Sequence, residues 1–208
     1  MSQSRRLPDI LAEDLTPEQR AAFEVSVSPR AVEAFLPAGP DKRPLPHGLA
    51  VPLHHPYLAE KWMPFSYSLL WEGELTHRQR ELMVLRVAWR TRSTYEWVQH
   101  CRLATAQLDV VTVEEIELIS QGRYDRFDGL EQDLLAAADD VMDTYRISDD
   151  TWKRLATQLD EKVLTEIALV LGAYIFLAVV FESLGVELDA GNDPTPYPRL
   201  PEEQDPHE

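Results

Sequence analysis

Apolar and polar residues recur along this chain with helical spacing, and no stretch of useful length alternates as a strand would. Leu58, Trp62, Phe65 and Leu69 predict a helix over about 56–71, with Pro64 expected to kink or split it. Thr76 and Gln79 supply a capping-box start for a helix over about 77–91. That helix is apolar almost all round from Leu82 to Trp89, the mark of burial on most sides. A third helix, about 95–108, carries Trp97, Cys101, Ala104 and Leu108 on its apolar stripe. Glu96, His100, Leu103 and Gln107 form the adjoining stripe, at the edge of the buried face. Thr112 and Glu115 start a short helix ending near Gly122, and an amphipathic helix follows over 129–145. A short helix over 148–159 surrounds Trp152 and Leu155, and a long apolar helix spans 160–184. The pattern therefore predicts an all-α fold.

The ends read differently. Residues 1–48 look like an N-terminal arm: Thr16, Pro17 and Gln19 start a short helix through about Val25. Pro29, Pro37, Pro40, Pro44 and Pro46 then prevent long regular structure. The helical domain is expected over 49–188. The tail, 189–208, holds five prolines and six acidic residues and is expected to be disordered or to lie extended over a neighbour. A short internal echo links ELMVLRVA from Glu81 with EIALVLGA from Glu166.

Composition narrows the function classes. A length of 208 residues with 44% hydrophobic content suits one domain with arms. A net charge of -16 argues against nucleic acid and against anionic membrane surfaces as partners. Cys101 is the only cysteine, so no intrachain disulfide can form. The first residues lack the apolar run of a signal peptide, and a cytoplasmic location is expected. The longest apolar run, Ile167 to Phe181, has fifteen residues, short of the roughly 20 a spanning helix needs. A buried helix, at a subunit interface, is the expectation, and with it a homo-oligomer.

The chemistry converges on Glu81–His100. Glu96 and His100 stand four apart on one helix face, and a carboxylate beside an imidazole suits proton transfer near neutral pH. Glu81 opens the preceding helix. Glu96 also has a bland reading, as the capping-box partner of Ser93. Arg86, Arg90 and Arg92 lie near enough in sequence to greet a carboxylate substrate or to balance acids. Tyr174, inside the apolar helix, needs a hydroxyl partner and is a candidate pocket residue, as is Trp97. Cys101 falls on the apolar stripe and reads as core rather than as a reactive thiol. His77 would complete a two-His, two-Glu set, but the spacing of four does not match di-iron helices, and no zinc frame occurs. No metal or cofactor is expected.

The frame Glu81, eleven residues, Ser93, two residues, Glu96, three residues, His100 resembles that of the carboxymuconolactone decarboxylase and alkylhydroperoxidase D-like superfamily. There the Ser93 and Glu96 places hold cysteines, and in the decarboxylase-type branch a Glu takes the second. The resemblance covers roughly residues 50 to 188. It implies a compact alkylhydroperoxidase D-like bundle assembled as trimers or hexamers. It also implies a Glu at position 81 that orients or relays protons to His100, and a His-Pro pair near the pocket mouth, which points to His54 or His55. The expected function is acid–base chemistry on a small oxygenated acid or lactone by decarboxylation, isomerisation or a related proton transfer. Peroxide reduction would need a dithiol that cycles to a disulfide, which Ser93 and Glu96 cannot form. A non-catalytic oligomeric small-molecule binder is the third class.

Overall fold

A computed structural model describes residues 6–36 and 45–201. Among these residues the elements are helices and turns, with no strand. They divide into two compact units, Met1–Gly73 with Ser183–Ala190, and Glu74–Glu182 with Gly191–Glu208. The prolines at 37, 40 and 44 and the last acidic residues of the tail fall outside the described residues.

The first unit contains α1 (Pro17–Glu24), α2 (Pro29–Phe35), α3 (His47–Ala50) and α4 (Pro56–Trp71). Helix α1 begins with the expected Thr16–Gln19 capping box and Pro17 in its first turn. The proline at 29 starts a helix rather than preventing one, because a first-turn proline gives up a backbone N–H that would be unpaired anyway. Pro64 does not split α4, which runs unbroken through it. The buried side of α4 also differs from the predicted stripe. Ala59 and Met63 are buried with Phe23, Leu45 and Leu53, whereas Leu58 and Phe65 are exposed. A clasp closes this unit: the His47 backbone N–H donates to Asp189 at 2.7 Å, and Arg6 donates to the Ser183 carbonyl at 2.7 Å.

The second unit contains α5 (His77–Thr91), α6 (Thr94–Arg102), α7 (Val113–Gln121), α8 (Gly129–Thr144), α9 (Asp149–Ala156) and most of α10 (Glu161–Leu184). Leu82, Met83, Val84, Leu85, Val87 and Ala88 are all buried, as the all-round apolar pattern requires. Arg92 and Ser93 make the turn out of α5. Arg92 takes a left-handed conformation at φ 56, and Ser93 is extended. Helix α6 ends at Arg102, earlier than its periodicity suggests, and passes into a π-helical turn over Leu103–Gln107.

Helix α10 is long and apolar enough, by length and composition, to cross a membrane. One of its faces is nevertheless built into the second unit. Glu166 accepts backbone hydrogen bonds from Glu74 and Leu75, and Tyr174 and Phe181 make edge contacts with His100 and Tyr95 of α6. The tail does not hang free. The Trp97 indole donates to the Pro198 carbonyl at 2.9 Å, Arg102 reaches Asn192, and Tyr197 is buried near Thr105. Residues of the predicted disordered tail thus lie along α6 of their own chain.

Candidate active site

The site is built within the second unit, from α5, α6 and α10. The turn at Arg92–Ser93 folds α6 back along α5, so that residues nineteen positions apart meet. His100 Nδ1 lies 2.8 Å from Oε2 of Glu81. The other ring nitrogen, Nε2, is 3.7 Å from Oε2 of Glu96. That separation is an ion-pair distance, longer than a direct hydrogen bond. Glu81, from the neighbouring helix, is the residue that holds the imidazole.

Glu81 has its own support. Arg80 donates to Glu81 Oε1 through Nε at 3.1 Å and through a terminal nitrogen at 2.9 Å. Its other terminal nitrogen lies 2.9 Å from His77 Nδ1. Arg80 is 2% exposed and Glu81 is fully buried, so this is an ion pair in the protein interior. Arg80 is not among the arginines, Arg86, Arg90 and Arg92, that the sequence singles out. The signal was present all the same: a guanidinium on a nearly all-apolar helix must find an anion.

Glu96 and Ser93 show a second departure. The predicted capping box between them does not form, and Ser93 makes no side-chain cap bond to α6. Ser93 Oγ and Glu96 Oε2 are both buried without a hydrogen-bond partner. The local capping role that would have accounted for Glu96 is therefore vacant.

The electrostatics follow from these contacts. Burial works against the Glu81 carboxylate, but His100 and Arg80 outweigh it and hold Glu81 below the ordinary carboxylate range. Burial pushes Glu96 up, with His100 opposing and Glu81 assisting, to about 7. Burial disfavours the His100 cation, yet Glu81 and Glu96 together raise the imidazole above its ordinary value. Burial also raises the Tyr174 hydroxyl, as do the nearby carboxylates. Near neutrality the cluster therefore holds one firm anion, two cationic or cation-favouring groups, and one carboxyl poised between its forms.

The remaining candidates fall in different places. The Tyr174 ring stands edge-on to His100, with centroids 4.9 Å apart. Trp97 is next to Glu96 in sequence, but its indole packs on Trp89 at 5.1 Å and its N–H is taken by Pro198. Arg90 is not brought to the cluster. It pairs with Asp139 and Asp143, each at 2.5 Å, while Arg86 pairs with Asp139 at 2.7 Å. His55 belongs to the first unit, where it caps α4 by accepting from the Leu58 N–H. Cys101 is fully buried, and burial pushes its thiol well above the ordinary range. Among the described residues, no group of three or more His, Cys, Asp or Glu side chains is arranged to hold a metal.

Comparison with known proteins gives this geometry a context. Residues 56–140 match the carboxymuconolactone decarboxylase family, a span that includes Glu81, Ser93, Glu96 and His100. No curated protein matches the sequence. An uncharacterized peroxidase-related protein from Silicibacter sp. TM1040 aligns at a TM-score of 0.70 and 18% identity, covering 90% of this chain and 93% of that one. An uncharacterized peroxidase-related protein with an alkylhydroperoxidase AhpD core, from Ralstonia eutropha JMP134, aligns at 0.70 and 15% identity, covering 91% and 95%. The debrominase Bmp8 aligns at 0.66 and 16% identity, covering 88% and 91%. At these identities the structures establish the shared fold. The family match itself stands over residues 56–140, and the helical fold agrees with it.

Proposed function

We propose that this protein is a cofactor-independent acid–base enzyme of the carboxymuconolactone decarboxylase type, acting on a small oxygenated acid or lactone. The observation that carries the reading is the buried imidazole of His100, anchored at Nδ1 by Glu81 and facing Glu96 with Nε2. A carboxylate on one ring nitrogen fixes the tautomer and stabilises the charged ring, which leaves the other nitrogen to carry protons. In this reading the charged ring gives its Nε2 proton to one carbon or oxygen of the substrate and recovers one from another. Glu81 orients the ring, and Arg80 keeps Glu81 ionised. Glu96 exchanges a proton with the same side of the ring. Decarboxylation and isomerisation both use such a step.

The structural neighbours also include peroxidase-related proteins and a debrominase. Thiol chemistry of that kind has little support in this chain, whose single cysteine is buried with a raised pKa. The protein is further proposed to be a cytoplasmic homo-oligomer. Supporting this, α10 leaves Leu169, Phe176 and Val179 exposed on one face.

A substrate screen separates the classes. Lactones, β-keto acids and dienols are offered to the wild type and to Cys101→Ser, alongside hydroperoxides with a thiol reductant. Turnover of the first group by both proteins is expected. Turnover of hydroperoxides alone, abolished in Cys101→Ser, would replace this reading with the redox one.

A further inference from the structure

Ser93 Oγ and Glu96 Oε2 are buried polar atoms on the first turn of one helix, at the N-cap and the third helical position; neither has a hydrogen-bond partner, and Glu96 Oε2 has only the ion-pair contact to His100 Nε2 at 3.7 Å. A buried hydroxyl without a hydrogen bond is costly in a protein interior, and a buried carboxylate without one is costlier still. The ordinary remedy is a reciprocal capping box, as Thr76, Thr112 and Asp128 make at their own helices. Here that remedy is not taken, and two hydrogen-bonding atoms are left for something else.

The charged groups around Glu96 say what would fit. Helix α5 contributes Arg80 and Glu81, α6 contributes His100, and α10 contributes the Tyr174 hydroxyl. With Glu81 ionised against Arg80, a protonated His100 leaves one positive charge that ionised Glu96 neutralises. If Glu96 takes up a proton, that positive charge becomes available to an incoming anion. Glu96 then also becomes a donor, as Ser93 already is.

We propose that the Ser93 hydroxyl and the Glu96 carboxylic acid form a two-donor seat for one anionic oxygen of the substrate, a carboxylate or an enolate. Binding carries one proton from solvent onto Glu96: carboxylate, proton and free anion become carboxylic acid hydrogen-bonded to bound anion, with no covalent bond changed in the ligand. The substrate class is thus a monoanion, and affinity is coupled to proton uptake. This rests on the acid–base reading above and adds Ser93 to it as a substrate-binding residue.

The test is calorimetric titration of the full-length protein with benzoate, in two buffers of different ionisation enthalpy, at pH 6 to 8. Benzamide serves as the uncharged control. Uptake of up to one proton per benzoate is expected, with affinity falling up to tenfold per pH unit above about 7. Ser93→Ala should weaken binding about tenfold or more, and Ser93→Thr, which keeps the hydroxyl, should restore it. Glu96→Gln, a permanent neutral donor, should bind benzoate without proton uptake. Absence of benzoate binding at millimolar concentration and pH 6 would overturn the proposal. So would binding indifferent to Ser93→Ala, or binding without proton uptake in the wild type. Proton-linked binding with no turnover of any substrate would keep the seat and remove the enzyme, whereas turnover dependent on His100 without such binding would do the reverse.

Discussion

His100 is held by a carboxylate from the adjacent helix, with Nδ1 2.8 Å from Glu81 Oε2, and the carboxylate one turn away on its own helix stands at 3.7 Å. Glu81 thereby serves two cations at once, because Oε1 takes Arg80. Removing its charge leaves a buried guanidinium unpaired, which typically costs about 3–5 kcal/mol. Glu81→Gln should lose stability on that scale in urea denaturation. A loss below about 1 kcal/mol would mean that the Arg80–Glu81–His100 chain does not hold the site together.

The Glu96 carboxyl gives a signed pH dependence. Its pKa is about 7 in the folded protein against an ordinary 4.5, so between those values the folded state binds the extra proton. Stability contributed by this proton is present in acid and is lost as pH rises through that window. His100, also raised, adds to the loss above its ordinary 6.5. Glu81, held low, acts in the opposite sense and loses its contribution as pH falls below 4.5. Glu96→Gln removes the first of these effects. Comparing denaturation midpoints at pH 5.5 and pH 8 should show a smaller drop in the variant than in the wild type. At pH 8 the variant should be the more stable, by on the order of 3 kcal/mol if the group stays fully buried. Equal drops would place Glu96 in contact with solvent.

Cys101 is a core residue. It is fully buried, and deleting its sulfur should cost about 1 kcal/mol, at the low end of core truncations. Cys101→Ala should keep its activity, and the native thiol should resist alkylation until the protein unfolds. Complete loss of activity at unchanged stability would point to the thiol as the reactive group.

The exposed residues Leu169, Phe176 and Val179 bear on assembly. Light scattering at micromolar concentration should give a multiple of 23.8 kDa, with a trimer or hexamer expected, and Phe176→Glu should reduce it. A 23.8 kDa species in the wild type would contradict a homo-oligomer.

The sequence made the helices legible because their caps and periodicity are local. The boxes at Thr16, Thr76 and Thr112 and the apolar run of α10 lie where the spacing puts them. What was not legible depends on tertiary contact. The spacing of four paired Glu96 with His100, but ring orientation is decided by which carboxylate reaches Nδ1, and that carboxylate arrives from α5. The Ser93–Glu96 capping box is a propensity that the interior overrode. Arg90 could not be assigned from sequence because its partners, Asp139 and Asp143, lie some fifty residues away on α8. The tail looked disordered from its prolines and acids, yet Trp97 and Arg102 of α6 supply donors that its backbone and Asn192 accept.

In the proposed mechanism the Glu81-held imidazole moves the proton. The most direct measurement compares kcat of His100→Ala with that of wild type, on the best lactone or β-keto acid substrate, with folding checked by thermal melting. A fall of about 10²–10⁴-fold, the usual worth of one acid–base group, is expected in a variant that still folds. A folded His100→Ala protein turning over within a few-fold of wild type would contradict it.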